Sequence, residues 1–145
     1  MNTDYQTLIN KLAYKSESYQ ATVALVGGIT STELKQITIN QAQKEALLSG
    51  LSHENSRVRW QCLQLLDFFV DDEVLPAIVH MLDDPIPKVR WHAVHALICE
   101  ACKPDHCLLD LDDAIKQKIE TLAQTDENKR VRGEAQRGLA QIQAQ

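Results

Sequence analysis

One segment of this chain occurs twice, and a weaker copy follows. Leu51 opens LSHENSRVRWQCLQLL, and thirty-one positions later Leu82 opens LDDPIPKVRWHAVHAL. The third copy, QTDENKRVRGEAQRGL, begins at Gln124. Self-similarity at a period of roughly 20–50 residues indicates supersecondary units that stack, since a single unit cannot bury its own apolar face. A stack presents an extended surface rather than an enclosed pocket, so the sequence constrains shape more than chemistry.

Each copy is predicted to be part of a helix pair. In the middle unit, apolar residues recur at helical spacing over 73–82, which predicts a first helix with one buried face. The residues 83–87 interrupt this pattern, and Pro87 suits the first turn of a helix, where its missing N–H is not needed. We therefore expect the second helix over 87–102, with Val89, Ala93 and Leu97 facing the core.

The same pattern continues along the chain and predicts that residues 1–145 form one all-α domain composed of helix pairs. Helix pairs are predicted over 39–70, 71–102 and 110–143. Before them, residues 1–28 form a divergent pair that caps the stack, and residues 29–38 form a linker with at most a short turn near 33–36. Terminal repeats of a stack must cover its exposed end, which explains why the first pair diverges.

Composition excludes several functional classes. The 145 residues carry a formal charge of −5 at pH 7, which disfavours indiscriminate binding to nucleic acid. No apolar run approaches the roughly 20 residues that span a bilayer. The polar N-terminus lacks a secretory pattern, so we expect a cytoplasmic protein with no membrane partner. Its four cysteines (Cys62, Cys99, Cys102 and Cys107) are then expected to be reduced.

These repeats resemble the HEAT repeat, in the short bacterial form also seen in phycobilisome-lyase-like proteins. The shared pattern is an acidic turn, then Val-Arg, then apolar residues, as in Asp84…Val89-Arg90 and Asp126…Val131-Arg132. The first copy departs from it, with His53-Glu54 where an aspartate is expected. The resemblance implies a short right-handed α-solenoid of about four antiparallel helix pairs, whose second helices line a concave surface.

The spacing of acid and arginine has a structural explanation. An aspartate closes the turn between the two helices, and the arginine one turn into the second helix can reach an acid of its own repeat or of the next. We expect a ladder along the stack, structural rather than ligand-binding, formed by Arg59, Arg90, Arg132, Asp84 and Asp126.

A second set of residues is predicted to face the concave surface. At about 100° per residue, Lys88 and Trp91 lie opposite the core face, and equivalent positions follow from the repeat. Tryptophan and arginine dominate interface hot spots, which indicates partner binding. The alternative is that the tryptophans stack on each other between repeats. The predicted concave stripe comprises Arg57, Trp60, Gln64, Lys88, Trp91, His92, His95, Arg130 and Arg137.

Metal binding and catalysis receive less support. His92, His95, Cys99 and Cys102 share a helical face, but a straight helix spreads them over about 15 Å at 1.5 Å per residue. At most two neighbours could then converge with His106 and Cys107, so we expect no metal and no cofactor. There is no glycine-rich phosphate loop and no nucleophile beside an obvious base, which predicts no catalytic residues.

The leading hypothesis is a non-enzymatic interaction or scaffold module that holds a protein partner on the concave face. One alternative is nucleic-acid binding through the basic residues of the stripe, which the net charge disfavours. The other is a lyase-related or chromophore-associated HEAT protein, with Cys99, Cys102 or Cys107 as the attachment point. The oligomeric state stays open.

Overall fold

Helices form all the regular secondary structure in residues 3–103 and 110–144, which are the residues that the computed structural model describes. The α-helices there are α1 (Tyr5–Lys11), α2 (Lys15–Val26), α3 (Ser31–Gln36), α4 (Gln41–Gly50), α5 (Ser56–Leu66), α6 (Val74–His80), α7 (Pro87–Ile98), α8 (Asp113–Thr125) and α9 (Lys129–Gln143). Single 3₁₀ turns follow α6, at Met81–Asp83, and α7, at Glu100–Cys102. None of these helices is both long enough and apolar enough to cross a membrane.

Short polar side chains begin most of these helices. Asn55 and Asn128 accept from backbone amides in the first turns of α5 and α9, and Asp112 does the same for α8. The side chains of Asn40 and Gln43 cap α4 reciprocally. Each cap satisfies amides that have no partner within the helix. Helix α7 has no such cap and begins instead at Pro87, yet α5, α7 and α9 all begin at equivalent positions of their repeats, which keeps their side chains in register along the stack.

The helices pair and stack as a short α-solenoid, which confirms the predicted fold class. The pairs are α1/α2, α4/α5, α6/α7 and α8/α9, and the second helices α5, α7 and α9 pack side by side. The first pair differs, because it joins the stack through a contact of α1 with α4. Buried Leu, Ile, Val and Ala side chains run continuously between the layers.

Two predicted boundaries differ from the structure. Helix α7 ends at Ile98, whereas the sequence predicted a helix to Cys102, because Cys99 takes an extended backbone conformation and the chain turns before a 3₁₀ turn. The segment 29–38, predicted as a linker, contains α3, which Thr30 and Glu33 cap reciprocally. The early end of α7 changes where Cys99 and Cys102 lie.

Arginines join each repeat to the next. Arg59 donates two hydrogen bonds to Asp84, at 2.9 and 3.2 Å, and also reaches the carbonyls of His53 and Glu54 in its own turn. Arg90 contacts Asp126 in the same way, at 2.8 and 2.9 Å. Each guanidinium thus links the turn of its own repeat to the acid of the following one.

The last rung of this series is different. Arg132 donates to the carbonyl of Asp126 at 2.6 Å, within its own turn. The inter-repeat rungs are therefore the Arg59–Asp84 and Arg90–Asp126 pairs. Burial alone would raise the pKa of Asp126, but the hydrogen bonds from Arg90 and the Asn128 amide outweigh it and hold that pKa below its usual range. The pair is therefore ionised at neutral pH.

Removal of the Asp126 carboxylate should destabilise the fold strongly. Asp126→Ala leaves Arg90, which is 8% exposed, without its charge partner, so we expect the free energy of unfolding to fall by about 3–5 kcal/mol. The control is Asp83→Ala, which breaks the exposed Lys118–Asp83 pair and should cost less than about 1 kcal/mol. Urea unfolding at neutral pH measures both, and equal losses would contradict the structural role of the ladder. Because the folded pKa is lowered, this stabilisation disappears as the pH falls below about 4.

Helices α7 and α9 approach closely at a glycine. A Cβ atom built on Gly138 would lie 2.7 Å from Cβ and 2.8 Å from Cγ1 of Ile98, whereas one built on Gly133 meets nothing within 4 Å. Ile98 is fully buried at the end of α7, so it has little room to move. Only glycine therefore fits position 138 without displacing the two helices.

This contact predicts opposite effects for two similar substitutions on one helix. Gly138→Ala should lower the free energy of unfolding by about 1–3 kcal/mol, since overpacking forces the helices apart. Gly133→Ala should raise it by up to about 1 kcal/mol, because alanine has the higher helix propensity and the site is open. Thermal and urea unfolding test the pair, and a stabilised Gly138→Ala variant would show that the approach is not tight.

Candidate functional site

Four ring side chains form an aromatic row across the second helices. Trp60 on α5 stacks on His92 of α7, with ring centroids 5.2 Å apart and an interplanar angle of 11°. Trp91 stacks on His95 at 4.9 Å and 10°, and meets His92 edge-on at 4.9 Å. The aromatic row, formed by Trp60, His92, Trp91 and His95, therefore spans two neighbouring repeats.

One alternative from the sequence was that the two tryptophans stack on each other between repeats. They do not. Trp60 packs between repeats, but its partner is His92. Burial, with a smaller contribution from the nearby His95 and Lys88, lowers the pKa of His92 to about 4. His92 is therefore neutral at neutral pH and packs against Trp60 as an uncharged ring. All four rings remain partly exposed.

Cations cover one end of the aromatic row. The Nζ atom of Lys88 lies 3.9 Å from the centroid of the Trp60 ring, and the guanidinium carbon of Arg57 lies 5.1 Å from it. Both distances are within the range of a cation–π interaction. No carboxylate within residues 3–103 and 110–144 forms an ion pair with Arg57, Lys88 or Arg130. Their charge is therefore available to a ligand of opposite sign.

Two open grooves flank the aromatic row. The first, of about 520 Å³, lies between α5 and the N-terminal helices α2 and α3, and its walls include Tyr19, Arg57, Trp60 and Gln64. The second, of about 530 Å³, lies between the N-terminal ends of α7 and α9. It is lined by Ile86, Pro87, Lys88, Trp91, His92, Asn128 and Arg130. Eight of the nine residues of the predicted stripe therefore line a groove or belong to the aromatic row.

Arg137 is the exception. Its guanidinium binds the carboxylate of Glu134, through Nη2 at 2.6 Å and Nε at 3.2 Å. The pairing places Arg137 beside a group of buried polar residues, and Arg137 lines neither of the two grooves.

A polar cluster lies at the end of α7, where the sequence predicted that at most two neighbours among His92, His95, Cys99 and Cys102 could converge. The ligand atoms of Asp67, His95, Cys99 and Cys102 all lie within 4.8 Å of one another. The expectation that a straight helix would spread these side chains is wrong, because α7 ends at Ile98 and the following turn returns Cys102 toward His95. His92 is not part of the polar cluster, and the predicted contributors His106 and Cys107 lie outside the described residues.

Buried charges surround the polar cluster. Lys103, 4% exposed, donates to the backbone carbonyl of Asp67 at 2.9 Å and also pairs with its carboxylate oxygen Oδ1. Glu134, 8% exposed, contacts Nδ1 of His95 at 2.8 Å. Burial alone would raise the pKa of Glu134, but its hydrogen bonds to His95 and Arg137 lower it to about 2. Burial, together with Asp67, raises the pKa of the Cys102 thiol.

Sequence reasoning missed Asp67, Lys103 and Glu134 as site residues. One signal was present, since Asp67 is a charged residue within the otherwise apolar end of α5, and thirty-one positions later the equivalent residue is Ile98, next to Cys99. Glu134 is equivalent in the third repeat to His92, forty-two positions earlier, which predicts an outward position. It is buried instead, because α9 approaches α7 closely at Gly138.

Comparison with known proteins gives one match. The family model described as HEAT repeats matches residues 44–140, which is more than half of the chain. The match begins in α4 and leaves out the helices that the sequence identified as divergent. No curated protein and no solved structure matches the chain.

The contact of Lys88 with Trp60 should be measurable as a coupling energy. A double-mutant cycle with Lys88→Met and Trp60→Leu should give about 0.5–1 kcal/mol, since this is the range of a partly exposed cation–π pair. Urea unfolding of the four proteins supplies the values. The control cycle combines Lys118→Met with Trp60→Leu and should give no coupling, because Lys118 pairs with Asp83. A coupling near zero in both cycles would mean that Lys88 is not held over the ring.

Proposed function

Because the chain belongs to the HEAT-repeat family, we propose that it is a binding module whose second-helix face holds an acidic segment of a protein partner. HEAT repeats commonly mediate protein–protein interaction. The observation that carries the proposal is the aromatic row, with an open groove on either side and with Arg57, Lys88 and Arg130, which have no ion-pair partner in the part of the chain that the structure describes.

The packing of the helices supports the choice of this face. The second helices α5, α7 and α9 contact one another extensively, whereas α4, α6 and α8 make their main contacts with their own partners. In a curved two-layer stack, the layer whose helices are closer together lies on the inside of the curve. Such inner surfaces are the extended binding surfaces of repeat proteins.

Charge supports an acidic ligand. The chain as a whole is acidic, with 20 Asp and Glu against 15 Lys and Arg, yet the two grooves are lined by four cations without ion-pair partners in the described residues, Lys15, Arg57, Lys88 and Arg130. A local positive region on a negative protein steers acidic ligands to one place and repels them elsewhere. The unpaired cations would gain counter-charges on binding.

Exposed apolar side chains offer contacts between these charges. Tyr19 is 61% exposed at the first groove, and Ile86 is 38% exposed at the second. The tryptophans contribute large flat surfaces, which are the most frequent anchors of protein interfaces. A segment that alternates acidic residues with apolar or aromatic ones would match both features.

Two other functions predicted from the sequence have weaker support. Nucleic acid would meet only a few cations on this face, whereas strong phosphate binding requires many clustered ones. Chromophore attachment would need an accessible thiol; of the named candidates, Cys99 is buried, Cys102 is half-buried within the polar cluster, and Cys107 lies outside the described residues. The family match is to HEAT repeats in general and does not extend to the lyase-like form.

Reversal of charge on the face tests the proposal. The face variant is Lys88→Glu/Arg130→Glu, and the control Lys11→Glu/Lys118→Glu makes the same change of net charge on the first-helix layer. Random peptides displayed on phage should, on wild type and control, be enriched for Asp and Glu interspersed with apolar residues. Binding of the selected peptides to the face variant should weaken at least tenfold, as measured by fluorescence anisotropy. Circular dichroism establishes that both variants are folded.

The alternatives give different results in the same assay. Equal peptide binding by the face and control variants would refute the proposed surface. Salt-sensitive binding of labelled single-stranded DNA or RNA that is lost in the face variant, with no peptide selected, would favour the nucleic-acid alternative. A visible absorbance band on the purified protein, lost when Cys102 is changed to Ser, would favour the chromophore alternative.

A further inference from the structure

Four side chains of types that bind zinc converge at the end of α7. The Sγ atoms of Cys99 and Cys102 are 3.2 Å apart. The Nε2 atom of His95 lies 3.6 Å from Sγ of Cys102 and 3.6 Å from Oδ2 of Asp67. We propose that the polar cluster is a zinc site, with Asp67, His95, Cys99 and Cys102 as its four ligands.

The distances between the ligand atoms fit a tetrahedral ion. Zinc bonds of about 2.0–2.3 Å give a tetrahedron whose edges are about 3.3–3.8 Å long. The three edges above measure 3.2, 3.6 and 3.6 Å, and all four atoms lie within 4.8 Å of one another. Zinc could therefore enter if the Cys99–Cys102 edge lengthened by about 0.6 Å and the other two edges shifted by a few tenths of an ångström or less, without rearrangement of the helices.

Both ligands that are not sulfur are already held by a second residue. Nδ1 of His95 contacts Glu134 at 2.8 Å, which directs Nε2 toward the centre of the cluster. Oδ1 of Asp67 pairs with Lys103, which leaves Oδ2 facing His95. Residues that orient metal ligands through their other polar atom are a regular feature of zinc sites.

The surrounding charges would compensate those of an occupied site. As each Zn–S bond forms, the thiol releases its proton to solvent. Two thiolates, the Asp67 carboxylate and Zn²⁺ together carry a charge of −1, which the ammonium of Lys103 balances. Glu134 is balanced by Arg137. An occupied site would thus add no uncompensated charge to the interior, which is the condition for placing ions there.

Four protein ligands leave no open position on a tetrahedral ion, so the site is structural rather than catalytic. Its ligands come from the end of α5, from α7 and from the turn after α7, and Glu134 comes from α9. The ion would join the three second helices at one point. The zinc site and the partner surface share His95, but each is tested by its own measurement, so the two proposals can fail separately.

Metal binding to the full chain, purified under reductant without chelator, tests the site. We expect about one zinc per chain by elemental analysis. After chelation, Co²⁺ should bind with the same stoichiometry and give the absorption bands of a tetrahedral cobalt–thiolate site. Cys99→Ser and Cys102→Ser should weaken binding at least tenfold, whereas Cys62→Ala should not change it, because Cys62 is buried elsewhere in the core.

A variant outside the ligand set separates zinc binding from simple packing. Glu134→Gln should keep the cobalt spectrum but weaken affinity about 10–100-fold, since it loses the charge that orients His95. Three results would overturn the proposal: well under one zinc or cobalt per wild-type chain after titration, a spectrum without thiolate bands, or a Cys99–Cys102 disulfide in protein kept under reductant. The metal titration of the wild-type chain tests the proposed zinc site even if a cysteine variant does not fold.

Discussion

The pairing of an arginine with the aspartate of the next repeat is the interaction on which the stacking depends. Arg59 and Arg90 each hold two carbonyl groups of their own turn and both carboxylate oxygens of the following turn. Planar guanidinium groups make such bidentate contacts in only one geometry, so the pairs fix register as well as contributing energy. Apolar contacts between helices could slide, whereas these contacts cannot.

A fixed register determines what the second helices present. Because α5 and α7 begin at equivalent residues, Trp60 and Trp91 point in the same direction and cannot face each other. The side chain that meets Trp60 is the one next along α7, which is His92. The aromatic row and the position of Lys88 over Trp60 are thus consequences of the stacking rather than separate features. The arginine–aspartate ladder therefore determines the positions of the side chains on the surface proposed for partner binding.

The part of this architecture that recurs in the sequence could be predicted, and the part that does not recur could not. The arginine recurs in all three repeats and the acid at the same spacing in the second and third, so the helix pairs and the ladder residues could be predicted from the sequence. The helical period of about 100° per residue also predicted that the residues of the aromatic row share one face of the second helices. The polar cluster depends on two single events, the end of α7 at Ile98 and the approach of α9 at Gly138. Neither has a counterpart in another repeat, so the repeat pattern placed Glu134 on the surface.

The two proposed sites share His95, and this has a physical consequence. Its ring stacks on Trp91 on one side, while its nitrogen atoms face Glu134 and the polar cluster. A ring whose two nitrogen atoms are both held cannot change its rotamer without losing both contacts. An ion bound to Nε2 would therefore hold the Trp91 ring at the second groove, and less conformational entropy would be lost when a partner binds there. The buried cluster would in this way stabilise the geometry of the exposed surface.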